Sequence, residues 1–240
     1  MASLLILASL HLAAAYVAPP SRTPATLRLH AKLDFEVMEE GGDFLEASSM
    51  FIDSFWADKA GQELTKSQIR ELRSGQLDDF RRRYKLRKET RRRSTLFIAK
   101  DGATILGCVG VELDGAADEN LVPVLSNLAT ARAGRRRGVA TTLVREAEKR
   151  VQEWGCREMD LVVEEKNTPA RNLYSKLGYA VVSKDTASDT LVPTDDGRVT
   201  KTVVTTLTMR RALGGGADLF VPAAGALLLL ASAAVYLTQN

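Results

Sequence analysis

Residues 125–151 read LSNLATARAGRRRGVATTLVREAEKRV. An apolar strand, a basic loop with two glycines and an amphipathic helix follow one another there without a gap. The helix runs over residues 138–154, with Ala140, Leu143, Val144, Ala147 and Val151 along one side and Gly155 as its stop. The first turn of any helix leaves backbone N–H groups without intrahelical partners, and a glycine-permitted approach makes that end an anion site. Arg135, Arg136 and Arg137 stand beside it, so the expected anion is a phosphate or a pyrophosphate. The chain has no GxxxxGK[ST] and no GxGxxG, which sets aside a P-loop and a Rossmann turn.

Working outward, residues 33–38 alternate as a short strand. Residues 44–56 read as a helix with Phe44, Ala47, Phe51, Ile52 and Phe55 on one face. Ile69, Leu72, Leu77, Phe80, Tyr84 and Leu86 predict one or two amphipathic helices whose outer face is basic, with Arg81, Arg82 and Arg83 on it. Residues 94–99 and 104–113, split by Lys100-Asp101-Gly102, give a hairpin. Beyond the long helix come a strand at 159–163, a helix at 168–177 with Pro169 in its first turn, and strands at 179–182 and 199–209. A polar loop through Pro193, Asp195, Asp196 and Gly197 joins the last two. This order argues for an α/β domain, α+β in its mixed sheet, with helices on the faces of that sheet.

The basic loop fills the pattern [Q/R]-x-x-G-x-[G/A] with Arg135, Gly138 and Ala140. Residues 167–179, NTPARNLYSKLGY, fill N-x-x-A-x-x-L-Y-x-K-x-G-[F/Y]. On these two segments the chain, from about 33 to 210, resembles the GNAT superfamily of N-acetyltransferases, which implies the GNAT-like acyl-CoA N-acyltransferase fold and acetyl-CoA as co-substrate, with no metal. The resemblance implies that Leu128, Ala129 and Thr130 offer backbone groups to the pantetheine and thioester. It places the pyrophosphate in the cradle of Arg135, Arg136, Arg137, Gly138, Val139, Ala140 and Thr141. Asn167 and Ala170 line the cofactor arm, and Tyr174 is the proton donor to the CoA sulfur. The sequences LSNLAT, RRRG and EWG, with the basic helical region, resemble the plastid branch, whose members acetylate protein N-termini and lysine side chains and in some cases arylalkylamines.

Acetyl transfer needs a neutral amine, a donor for the tetrahedral oxyanion and an acid for the thiolate. A phenol, ordinarily near pKa 10, is protonated at neutral pH and can be that acid; Tyr174 equally suits a packing role. No base stands out. Both histidines, His11 and His30, precede the domain. Glu112 and Glu164 could take a proton through water or could be plain strand-end carboxylates. Without a base, α-amines near pKa 8 are easier acceptors than lysines near 10.4. An acetyl-CoA-binding module without activity stays open as the alternative.

The chain has 240 residues, 45% of them hydrophobic, a formal charge of +3 and two cysteines, which excludes a disordered chain and a disulfide-stapled miniprotein. Its ends differ from its middle. Residues 1–32 hold an apolar stretch at 4–17, small residues Ala13 to Ala15 and then a Ser, Thr, Pro and Arg-rich segment without acid. The run Ala15-Tyr16-Val17-Ala18-Pro19 resembles the junction of the bipartite presequence of algae with secondary plastids; an ordinary secretory signal and linker is the other reading. Residues 212–218 form a glycine-rich hinge, and residues 219–237 are uncharged and apolar. As a helix those nineteen residues would reach about 28 Å, a transmembrane tail anchor, or else a helix packed on the domain. Arg210 and Arg211 would then keep the catalytic domain on the stromal side. The basic run 81–93 has one interleaved aromatic, Tyr84, and nearby acids, so it reads as a solvated face and not as a nucleic-acid site.

Overall fold

Gly102, at φ 56°, turns the chain between two strands, β2 (Arg93–Asp101) and β3 (Thr104–Leu113), which pair antiparallel from Asp101 opposite Thr104 to Arg93 opposite Leu113. They belong to a seven-stranded sheet seen in a computed structural model that describes residues 34–42, 44–56, 63–85, 93–113 and 122–214. The other strands are β1 (Glu36–Glu39), β4 (Val124–Thr130), β5 (Glu158–Glu164), β6 (Ala180–Pro193) and β7 (Val199–Ala212), in the spatial order β1-β2-β3-β4-β5-β7-β6. Every neighbouring pair is antiparallel except β4 with β5. The mixed sheet and the order of elements agree with expectation.

Two layers of helix cover the sheet. On one face lie α1 (Leu45–Phe51), a π-helical turn (Ile52–Trp56) and α2 (Lys66–Tyr84); on the other lie α3 (Val139–Glu153) and α4 (Thr168–Lys176). The apolar side of α3 is buried through Val139, Leu143, Val144, Ala147 and Val151, and Phe44, Phe51, Phe55, Trp56, Phe80 and Tyr84 interlock edge to face and stacked on the opposite side. α2 is a single helix that begins with a capping box between Thr65 and Gln68. Its buried seam is Gln68, Leu72, Gln76, Asp79, Phe80, Arg83 and Tyr84. Four of these seven are polar, and Arg83 does not join the basic outer face expected of it. Arg83 turns inward because it bonds Asp79 at 2.9 Å and also pairs with Glu112 on β3.

The last two strands are longer than the hydrophobic pattern indicates. β6 extends through Lys184, Asp185 and Ser188 to Pro193 and follows β7 by register shifts between Val181 and Ser183 and between Asp185 and Ser188. It is an edge strand exposed on most positions, so polar residues cost it nothing and mask the apolar alternation. The first helix also stops short, since its last turn widens into the π-helical Ile52–Trp56. Residues 1–32 and 219–237 lie outside the described residues, as do 215–218 of the hinge. Among the described residues no helix is long and apolar enough to cross a membrane. Arg210 and Arg211 belong to β7, and pair with Asp160 and Glu148.

Gly110 on β3 lets Tyr84 come close to the sheet. A Cβ there would lie 1.9 Å from the Tyr84 hydroxyl oxygen and 2.3 Å from its ring carbon. Gly110→Ala must expel Tyr84 from its pocket, and it should destabilise the fold by about 2 kcal/mol, the usual cost of overpacking. Urea unfolding checks this, and the same substitution made together with Tyr84→Ala should add far less than it does alone.

Candidate active site

β4 and β5 are paired over two positions only, Val124 with Asp160 and Leu125 with Leu161. Beyond Leu125 no ladder pair joins them among the described residues, and the two strands run on as the walls of an opening. On its other side β4 remains paired with β3, but irregularly. Gly110 faces Ser126 and Cys108 faces Ala129, so Asn127 and Leu128 together oppose Val109. This is a bulge, and Asn127 carries its strain at φ 55° while fully buried. Its side chain holds the kink in place, because Asn127 Nδ2 donates to the Tyr84 hydroxyl at 2.8 Å, which also meets Ser126 Oγ at 2.9 Å. Burial first, and then the charge of Glu112, push the Tyr84 phenol far above its ordinary pKa, so it stays a neutral hydroxyl. The bulge re-aims the backbone of Leu128, Ala129 and Thr130, all buried, along the opening.

The loop after β4 is drawn tight. Ala131 N donates to Leu106 O at 2.9 Å, and a 3-10 turn (Arg132–Gly134) sets Gly134 so close to β3 that a Cβ would lie 2.7 Å from Leu106 O. Arg136 at φ 62° and Gly138 at φ 87° then bring the chain into α3. Gly138 and Thr141 are exposed, Ala140 half-buried and Val139 buried, so the free N–H end of α3 faces outward from a fixed base. The three arginines part company. Arg135 reaches back to Thr130 O at 3.4 Å and Ser54 O at 3.5 Å, and Arg136 is exposed. Arg137 is bracketed by Asp34 and Asp101, each at 2.9 Å, and by Ala133 O at 3.3 Å. These carboxylates staple it to the end of β2 and to the chain before β1.

α4 starts at the end of β5. Asn167 caps it, its Oδ1 accepting from Ala170 N at 3.1 Å. Ala170 and Tyr174 are fully buried, and the Tyr174 ring stands edge-on to Tyr179, with centroids 5.8 Å apart. Tyr179 donates to Glu148 of α3 at 3.1 Å, and Arg211 joins the same carboxylate at 2.6 Å. Burial and then Glu148 push the Tyr179 phenol well up, so Tyr179 serves as a donor strut between α3 and α4. Asn127 and its bulge escaped the sequence reading. The available signal was an asparagine inside an apolar strand, a residue depleted in strands and the commonest after glycine at positive φ.

A cleft of about 460 Å³ opens beside the loop, between α1, its π-helical turn and the β2–β3 turn, lined by Glu46, Met50, Asp53, Ser54, Ile105 and Arg132 among others. Among the described residues no group of His, Cys, Asp and Glu is placed to hold a metal ion.

No curated protein sequence matches the chain. Among solved structures, PaiA N-acetyltransferase from Thermoplasma acidophilum in complex with coenzyme A superposes at a TM-score of 0.52. The identity is 18%, over 74% of this chain and 98% of that one. An N-acetyltransferase from Staphylococcus aureus Mu50 superposes at 0.50 with 9% identity, over 75% and 97%. At such identities the likeness is one of fold. Residues 57–179, more than half of the sequence and the span that carries the bulge, the arginine loop and Tyr174, match the family described as Acetyltransferase (GNAT) family, and the chain belongs to that family.

Proposed function

We propose that the protein moves an acetyl group from acetyl-CoA to a primary amine, on protein N-terminal α-amines, lysine ε-amines or both. The observation that carries this reading is the opening between β4 and β5. It is walled by the backbone of Leu128, Ala129 and Thr130, with the arginine loop at one end and the Tyr174 helix following the other wall. Those residues fit the cofactor. The backbone of a bulged strand can bond a pantetheine amide and the thioester carbonyl, and the open end of α3 with Arg135 and Arg136 suits the pyrophosphate. A neutral amine attacks the acetyl carbon, the carbon–sulfur bond breaks, and the departing thiolate takes a proton from the Tyr174 hydroxyl. With no histidine between residues 33 and 211 to take a proton, amines that are partly neutral at physiological pH are favoured, which gives α-amines the advantage over lysines.

The acid-free leader and the apolar tail support plastid delivery and a membrane anchor as part of the same proposal; a fluorescent fusion of residues 1–40 that entered the medium would sink the first. For the activity, the full chain is incubated with acetyl-CoA and two peptides, one with a free N-terminus and no lysine, the other N-acetylated with one lysine. Mass spectrometry should find the acetylated product on the first peptide before the second. Tight acetyl-CoA binding with no product on either would mark a binding module instead.

A further inference from the structure

The chain leaves the domain for its apolar tail at one end of the sheet, and exposed cations surround that end. We propose that this end is a seat for anionic phospholipid headgroups, which holds the acetyl-transfer slot away from the bilayer; this rests on the membrane-anchor reading above.

Strand pairing defines this base of the domain. Arg93 opens β2 opposite Leu113, Glu112 faces Val124 at the start of β4, Val124 faces Asp160 of β5, and Glu158 faces Ala212 at the end of β7. The helices finish there too. Ser94 Oγ donates to Arg83 O in the last turn of α2, Arg93 donates to Trp154 O at the end of α3 at 2.7 Å, and Gly178 after α4 lies beside the Arg211 side chain. Leu213 N donates to Arg157 O at 2.6 Å, and Leu213 O accepts from Gln152, so the chain departs from this same base. The slot opens at the opposite end, beyond Leu125. The 15 residues of α3 set the arginine loop about 22 Å from the base. Residues 214–218 can span at most about 20 Å before the apolar run begins at Leu219, too little to carry the arginine loop round to the surface that the tail enters.

Most acids of the base are matched within it: Asp79 by Arg82 and Arg83, Glu112 by Arg83, Glu153 by Arg150, and Glu158 and Asp160 by Arg210. Arg210 and Arg211 border the tail in sequence but are tied into the domain, Arg211 through Glu148. The exposed cations come from other elements: Arg81 and Lys85 at the end of α2, Arg93 of β2, Arg157 before β5 and Lys176 at the end of α4. Arg93 bonds a carbonyl, which satisfies a donor and supplies no charge. Asp78, exposed one turn before Arg81 and Arg82, offsets part of the sum. Trp154, half-buried at the same corner, has the amphipathic ring that settles at headgroup level. Each Lys or Arg held near an anionic leaflet strengthens binding about fivefold, so a few of these cations are enough for a clear preference over neutral lipid.

Flotation of the full chain with phosphatidylcholine vesicles, with and without about 30% phosphatidylserine, tests this. At about 0.1 M salt the anionic vesicles should bind at least about tenfold more tightly than the neutral ones, and at about 0.5 M salt the two should agree within about twofold. Arg81→Glu, Lys85→Glu and Arg157→Glu together should remove the preference. Lys66→Glu, Arg70→Glu and Lys201→Glu make the same change of charge at the start of α2 and on the ribbon, and should keep it; acetyl-CoA affinity within about twofold of wild type shows that each triple variant is folded. A preference that survives in the base variant, or is lost equally in both, would overturn the seat. No preference for anionic vesicles, with polyglutamate bound by the wild type and not by the base variant, would overturn it in favour of an acidic polypeptide. Retention on neutral vesicles at about 0.5 M salt reports the tail alone. Its absence beside an intact, salt-sensitive preference overturns the anchor and supports the seat.

Discussion

Tyr174→Phe will slow turnover by about a thousandfold, within the range a positioned general acid supplies, while acetyl-CoA affinity stays within about threefold of wild type. The substitution is clean because the ring is what packs. Tyr174 is fully buried, and its edge-on contact with Tyr179 survives the loss of one oxygen. A large drop in kcat with unchanged unfolding would therefore report the hydroxyl and not the helix. Tyr179→Phe is the matched comparison. It removes the donor to Glu148, which Arg211 and Arg145 continue to hold at 2.6 and 2.8 Å, so it should cost some stability and little turnover. Steady-state kinetics beside calorimetric titration of acetyl-CoA decide between the two. Equal kcat in Tyr174→Phe would remove it from the acid role and leave it a packing residue of α4.

Arg83→Met should cost about 4 kcal/mol of folding stability, roughly a thousandfold in the folding equilibrium. Arg83 is 3% exposed and lies between Asp79, fully buried, and Glu112. Burial alone would drain its charge; Asp79 and Glu112 outweigh that and raise its pKa above the ordinary guanidinium value. Methionine fills the space but takes the buried guanidinium from Glu112 and one of two arginines from Asp79, which Arg82 still meets at 2.6 Å, and a buried carboxylate that loses its partner is expensive. Adding Glu112→Gln to Arg83→Met should return part of the loss. Denaturant melts of the full chain check both statements; a deficit under about 1 kcal/mol would mean that water reaches the pair.

The elements that write themselves into the sequence are those with one clear demand on their residues. α3 must bury one side and shows it at Leu143, Val144, Ala147 and Val151; the hairpin must reverse at Lys100-Asp101-Gly102 and says so. The positions that escaped serve two demands at once. Arg83 reads as surface charge because nothing nearby in sequence announces Glu112, its partner from another element. β6 reads as a strand and a loop because an exposed edge needs no alternation. Asn127 looks like a polar lapse in an apolar strand, and its reason is Tyr84, 43 positions earlier. The arginine loop and the Tyr174 segment were legible as motifs because each is local. That Arg137 is claimed by Asp34 and Asp101 was not, since both lie far from it in the sequence.

The two-residue pairing of β4 with β5 makes this sheet narrow at its waist, with four strands on one side and three on the other. A molecule lodged in the slot takes the place of the ladder bonds that the strands do not make with each other. It bridges the halves only when the protein is folded, so its binding free energy is added to that of folding. By mass action, a ligand at a hundred times its dissociation constant would contribute about 2.7 kcal/mol. The melting temperature of such a protein is then a gauge of its metabolic surroundings: where the acetyl donor runs short, the enzyme loses substrate and part of its own durability together.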